Sequence, residues 1–600
     1  MRKNLFLLLV IIIVFISPTL FAESTLDRIV VTPNKKPTTI FNTLSSVEVI
    51  TSEMIKNSGS VSLENILNQS SSISIGSNGG FGQTKSIFMR GTESNHTKVL
   101  VNGNELNPGT LGVPSIQHIS VDLIEKIEIS KGSMSTLYGK NAIGGVINII
   151  TKKNQFGEVK YRSGRYSTEN ITFSDGINHE KHNFNINMSR FISDSYKAKV
   201  TSSQNHRYDN TNIDMSYKYD IDNQYNINLD YYKNTGNTEY DSFGSNLNQN
   251  HRDNHFKVTL NSTEASSSFD IFYLRKGNEI NQAAPGATDY THTKSDSIGL
   301  EYSIDNSNNG NLLFGLNYTD ESMYELSFGT SFKHTNVIRE LYIAKTAIYQ
   351  NNLSVNLGTR FINHSVFNDY TIGNLNFGYI INPNLIFTAG VGKSFRPPDA
   401  TDLFGFSGNS NLNPEKSMTS EIGLKYKHSN DTSVSISIFN NEIKNLIESD
   451  GSQMQNINKA RITGLEFNFD KTYKDLVYKL NYTYQESDDL TNDTLLSRRP
   501  RNKISANILK KINNHESFDL MLRAESKKDN SIYDAHRLGG YLVVDANYVT
   551  RFHGYNISLK AVNLFDKKYR LAHNYNTDGK AFFLSVGSSF WFATCEVLVG

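Results

Sequence analysis

The chain has 600 residues, with 60 basic and 59 acidic side chains, a net charge of +1, 38% hydrophobic residues and one cysteine. The charge balance removes any electrostatic basis for bulk nucleic-acid binding, and the lone Cys595 excludes an intramolecular disulfide or a cysteine-rich metal site. A mean hydropathy of −0.43 would suit a water-soluble protein, but a transmembrane β-barrel, whose lipid-facing and lumen-facing residues alternate, has a similar average. Length predicts two or more structural units without choosing among them.

Arg2 and Lys3 precede an apolar run from Leu5 to Ile16, followed by Pro18 and the small Ala22. The run falls short of the roughly 18 residues that a spanning helix needs, so residues 1–22 are expected to be a secretory signal. Asp27-Arg28-Ile29-Val30-Val31-Thr32 is then a β-prone run closed by Pro33, with a polar linker to residue 36. On composition alone it is a first strand or a leader.

Val47-Glu48-Val49-Ile50 reads as a strand, Thr51 to Ser60 as a short helix opened by a hydroxyl cap, and Val61 to Leu67 as a second helix with Leu63, Ile66 and Leu67 at core spacing. From Asn78 to Thr151 the segments NGGFGQ, IFMRG, VLVNG, IEISKG, LYG and NAIGGVINIIT follow closely. They predict short β-branched strands at Ile87–Met89, Val99–Val101, Ile127–Ile129 and Val146–Ile150, with glycines for tight turns. Small, polar loops are expected from Ser74 to Thr84 and from Asn104 to Pro114, the second after a turn at Asn102-Gly103. The glycine pairs match neither a phosphate loop nor a dinucleotide fingerprint.

From about Lys152 the texture changes to alternation, as in Asn183 to Met188, Tyr225 to Tyr231, Ser433 to Ile438 and Tyr478 to Tyr484. A soluble β-sandwich alternates too, but recurrent Tyr and Phe at strand ends, and short turns alternating with long Asn/Asp/Ser-rich loops, favour a membrane barrel. Residues 153–590 have room for about 22 strands of roughly 9 to 11 residues. Phe582, Leu584, Val586 and Phe590 make an apolar face on the last strand, and residues 591–600 form a tail of undetermined role.

Asn78 to Gln83 followed by Ser86-Ile87-Phe88-Met89-Arg90-Gly91-Thr92 resembles the plug of TonB-dependent outer-membrane receptors, most closely their cobalamin-receptor branch. Phe395-Arg396-Pro397-Pro398, Asn411 to Lys416, Glu421-Ile422-Gly423, Asn458 to Glu466 and Ala561 to Tyr569 resemble the barrel signatures of the same superfamily. The resemblance implies an antiparallel transmembrane β-barrel over residues 153–590 and an N-terminal α/β plug domain in its lumen, over residues 37–152. It implies that Asp27, Arg28, Ile29, Val30, Val31 and Thr32, within residues 23–36, form a TonB box captured by strand pairing with TonB and its inner-membrane energising complex. The cargo it implies is cobalamin, with a ferric siderophore or haem as alternatives, and the surrounding solvent is outer-membrane lipid. Gln83, Thr84, Lys85, Leu106 and Asn107, near the plug-loop tips, are the implied cargo contacts.

No cofactor is required by this reading, but the cobalamin branch binds calcium through aspartates in early extracellular loops. Asp209, Asn212 and Asp214, with Glu239 and Asp241 one hairpin later, are therefore candidate calcium ligands, although Asn/Asp-rich stretches are also ordinary solvated turns. His251 and His255 have zinc-helix spacing but lack the adjoining glutamate and read as part of a polar loop. Absence of a nucleophile elbow argues further against an enzyme. His96, just before the strand to Val101, reads as structural. A passive porin or an adhesin is the alternative of another class.

Overall fold

The computed structural model describes residues 28–590, apart from 155, 284–288, 307–309, 351, 430 and 532–533. Asp27, the expected signal and residues 591–600 lie outside the described residues. An N-terminal domain contains β1 (Ile29–Val30), β2 (Thr38–Thr39), β3 (Val47–Thr51), α1 (Ser52–Ser58), α2 (Leu63–Leu67), β4 (Ile73–Ser77), β5 (Lys85–Met89), β6 (Thr97–Val101), β7 (Asn104–Glu105), β8 (Ile124–Lys131), α3 (Ser135–Tyr138) and β9 (Gly145–Thr151). Its main sheet has the order β3-β8-β9-β6-β7, with β6 and β9 parallel and the other neighbours antiparallel.

Local chemistry explains the outline. Thr51 caps α1 by accepting from the Met54 amide, and Gly59 ends it at φ +57°. Asn102 and Gly103, at φ +50° and +80°, turn β6 directly into β7, as a two-residue loop of this dipeptide should. Leu63, Ile66 and Leu67 pack with Ile73, Ile87, Val99, Ile127, Ile147 and Ile149 into the domain's largest apolar core. The expected loop from Ser74 to Thr84 is corrected here: its first part is β4, which pairs with β5 as a hairpin. Its serines and glycine do not announce a strand, and pairing with β5 makes it one.

The rest of the chain closes into a 22-stranded antiparallel barrel, sealed by pairing Gly157–Gly164 with the last strand, Ala581–Phe590. No described helix is long and apolar enough to cross a membrane. Along His182–Ser193, Phe184 and Met188 point outward while Asn185, Asn187 and Ser189 are buried in the lumen. Thr432–Ser449 does the same with Ile436 and Ile438 outside and Ser433 and Ser437 inside. One rim carries short turns, such as those at 180–181, 221–224 and 474–475; the other carries long loops, among them 194–207, 397–414 and 563–580. The N-terminal domain fills the lumen, which a barrel this wide would otherwise leave open.

Candidate functional site

At the short-turn rim, β1 lies on the base of the inner domain. It is held mainly by one side chain: the Glu128 carboxylate accepts from the Val31 amide at 3.0 Å, the Thr32 amide at 2.8 Å and the Thr32 hydroxyl at 2.6 Å. Tyr138 donates to the Thr32 carbonyl at 2.8 Å, and Lys126 pairs with Glu128 at 2.7 Å. Burial would raise the Glu128 pKa, but the Lys126 pair and the Thr32 and Val31 donors outweigh it and hold the group below the ordinary glutamate range. β1 itself pairs only over Ile29↔Thr39 and Val30↔Thr38. Val30 is 0% exposed and Ile29 57%, so this short strand has one face docked and one open.

Buried ion clusters tie the inner domain to the wall. Arg90 makes a fork with Glu466, both bonds at 2.9 Å, reaches Glu421 at 2.7 Å and lies over the Phe439 ring at 4.4 Å. His96 meets Glu415, which also takes Arg396 at 3.0 Å and the Ile447 amide at 2.8 Å; Arg396 in turn binds Asp399, just before α4 (Ala400–Phe404) of the long loop, and Asp402 within it. His96 is thus a structural link between loop and inner domain. Asp122 takes Lys160 at 2.8 Å, Arg162 at 3.1 Å and Asn170 at 2.7 Å. These partners are far apart in sequence, and composition does not reveal them; the legible signal for Glu128 was a charge alternating with Ile127 and Ile129 in an apolar strand.

At the long-loop face the expected contact residues have unlike surroundings. Thr84 is exposed. Gln83 is buried and donates to the Glu239 carbonyl at 2.7 Å. Lys85 is turned inward, bracing its own hairpin through Ser77 Oγ at 2.7 Å and the Gly79 carbonyl at 2.8 Å. Asn107 braces the other loop, accepting from the Val99 amide at 2.9 Å and donating to Gly112 O at 2.8 Å, while Leu106 packs on the apolar core.

Residues 156–571 match the family described as TonB dependent receptor-like, beta-barrel, and residues 39–146 match the TonB-dependent Receptor Plug Domain. The chain belongs to the TonB-dependent receptors. Its inner domain is their plug, and the barrel places it in the bacterial outer membrane, with short turns on the periplasmic side and long loops outside. This receptor is 26% identical to the vitamin B12 transporter BtuB of Vibrio vulnificus over 95% of each chain, and 26% identical to that of Vibrio cholerae over 94% of this chain and 95% of the other. Its fold matches the siderophore receptor PirA of Acinetobacter baumannii with a TM-score of 0.80 at 17% identity, covering 91% of this chain and 98% of that one. The ferric enterobactin receptor PfeA of Pseudomonas aeruginosa matches with a TM-score of 0.80 at 17% identity, covering 91% of this chain and 99% of that one.

The placement expected for the calcium candidates needs correction. Asp209, Asn212 and Asp214 lie in the strand Tyr208–Asp220, and Glu239 and Asp241 near the end of Tyr225–Ser242, rather than in loops. Strand alternation sends Asp209 outward toward Arg190 at 3.7 Å, and sends Asp214 inward to Asn102 and Asn187, both at 3.1 Å. Asn212 is engaged with the Ser120 amide at 2.7 Å, Glu239 with the Arg207 amide at 3.0 Å and Asp241 with Lys199 at 3.1 Å. The five do not converge, and among the described residues no three His, Cys, Asp or Glu side chains form a metal-binding group. His251 and His255 likewise belong to a strand, Ser245–Thr263; His251 stacks on plug His118 at 3.5 Å and His255 on Tyr232 at 5.1 Å.

Proposed function

We propose that this receptor captures cobalamin at the outer face of its plug and imports it with energy that TonB delivers through β1. The supporting observation is similarity to vitamin B12 transporters over 95% of both chains. Thr84 is the exposed cargo contact at one loop tip, and Gln83, Lys85, Leu106 and Asn107 shape the two loops around it. At the other end, two paired positions and one carboxylate make β1 easy to exchange for a strand of TonB.

Isothermal titration of the purified receptor with cyanocobalamin, haem and a panel of ferric siderophores tests the cargo. Saturable binding of cyanocobalamin alone is expected; binding of only a siderophore would replace it as cargo. Ile29→Pro removes a backbone donor from β1, so uptake is expected to vanish while binding persists. A passive porin or adhesin would be indifferent to deletion of residues 27–32.

A further inference from the structure

Between the plug and one side of the barrel lies a cavity of about 650 Å³, open toward the periplasm. At about 30 Å³ per molecule this is space for on the order of twenty waters. Its plug wall is β3 and α1. Its barrel wall comes from the strands Glu415–His428, Thr432–Ser449, Met454–Tyr473, Leu476–Asp489, Asn502–Lys511 and Glu516–Glu525.

The space has a sequence cause. Many lumen-facing positions here are short: Ser433, Ser435 and Ser437 on one strand, Asn468 and Asn481 on the next two, and Ser505 and Asn507 on the fourth. Serines at every second position leave a gap where long side chains would have met the plug. The facing plug strand, β3, is a sheet edge, paired only with β8. The wall combines these hydroxyls and carboxamides with an unpaired strand edge, the charged Lys425, Asp470, Lys479 and Asp519 and the apolar Leu509 and Met521, so a hydrophilic solute can keep its hydrogen bonds while passing.

The floor of this space is joined to β1. Arg28, the residue before β1, lines the cavity and reaches Met54 Sδ in α1 at 3.7 Å, and Lys479 from the wall reaches the same sulfur at 3.4 Å. At the upper end the closure is slight between two stations. Ser71 and Thr483 share a hydroxyl contact at 2.9 Å, flanked on one side by the Arg90–Glu466 cluster and on the other by Lys503, which binds Asn68 and the Ile73 carbonyl.

The opposite seam is filled. The single His118 carbonyl accepts from Asn210 at 2.8 Å, Asn212 at 3.0 Å and Asn234 at 2.7 Å, beside the His118–His251 stack. We infer that the serine-lined cavity is the exit vestibule for cargo, and that withdrawal of β1 extends it upward through the Ser71–Thr483 contact while the His118 seam stays closed. The inference rests on the TonB-driven import proposed above and adds to it which side of the plug opens.

The test uses the full-length receptor with Cys595→Ser, and a second copy of each variant in which Glu128→Ala and Thr32→Val free β1. Ser71→Cys and Ser189→Cys place single thiols at matched positions, each 3% exposed, on the cavity side and on the opposite seam. A membrane-impermeant maleimide is expected to label the Ser71→Cys protein at least tenfold faster once β1 is free, with no change for Ser189→Cys. An equal rise at both, or a rise at neither, overturns the inference. This readout needs no cargo, so it is independent of whether cyanocobalamin binds. A tether gives a second arm, with cyanocobalamin as the probe. The Ser71→Cys/Thr483→Cys pair should stop uptake until reduced, whereas Ser120→Cys/Ser189→Cys, whose hydroxyls now touch at 2.9 Å, should not. The reverse pattern would place the route on the other side.

Discussion

From Thr168–His179 round to Ser245–Thr263, the barrel meets the plug with asparagine, histidine and tyrosine side chains that reach across and are met: Asn170 on Asp122, Asn212 on Ser120, and His251 on His118. From Thr432–Ser449 to Asn502–Lys511, the same barrel presents serines and a cavity, and its hold on the plug is concentrated in the Arg90 and Lys503 stations. Both sides use lumen-facing residues of the same alternating pattern, so the difference lies in side-chain reach. Long polar groups spread adhesion over the seam, whereas short ones leave it to a few charges.

That contrast can be broken most severely at Arg90. Arg90→Ala takes the guanidinium from the buried Glu466 carboxylate and the half-buried Glu421 carboxylate and is expected to cost the plug about 3–5 kcal/mol. Calorimetry should show the plug transition falling while barrel unfolding is unmoved, and Arg90→Met combined with Glu466→Gln and Glu421→Gln should recover most of the loss.

On the filled seam, Asn212→Ala removes one of three donors to His118 and the acceptor of the Ser120 amide, at about 1–3 kcal/mol for the buried groups left unpaired. Amide exchange at Ser120 should quicken accordingly. Thr483→Ala, at the contact that closes the upper end of the cavity, should cost less than about 1 kcal/mol, because water entering from the cavity can replace the hydroxyl. Equal effects at the two sites would erase the contrast.

Glu128→Gln keeps an acceptor for Val31 and Thr32 but removes its charge and the Lys126 pair, and should weaken β1 docking by about 1–2 kcal/mol. Protease cleavage near Arg28 reports it. Acid should act in the same direction. Because the folded pKa lies below the ordinary glutamate value, docking stability is complete above the ordinary value and is lost as pH falls through the depressed one. Cleavage that is flat with pH from neutrality to below that range would remove Glu128 from the docking role. The smallest expected stability effect is Ser435→Leu, which fills cavity rather than packed wall and should stay within about 0.5 kcal/mol while slowing uptake.

Much of the plug was legible because its signals are local. The Asn102-Gly103 turn, the Thr51 cap and the Leu63, Ile66, Leu67 spacing each act within a few residues and appear where expected. Ser74 to Ser77 was not legible as a strand, since its pairing with β5 supplies what its own propensity lacks. The loop expected for the calcium candidates is a strand for a related reason: Asp209 to Asp214 has the composition of a turn, but hydrogen bonding to both neighbouring strands sends its alternate residues to opposite faces.

Period-two alternation, strand length and turn residues are properties of neighbouring positions, and by themselves they determined a membrane barrel with a compact α/β domain ahead of it. Tertiary structure alone decided which lumen-facing residue meets which plug group. Arg90 and Glu466 lie 376 positions apart, and Lys503 and Ile73 lie 430 apart. Contacts of that separation depend on the register of every strand between them, and a shift of one residue would exchange lumen for lipid along a whole strand. The gap behind Ser433, Ser435 and Ser437 is a consequence of that register, and so exists only in the closed barrel, whereas the docking of β1 on Glu128 is decided by the fold of the plug alone.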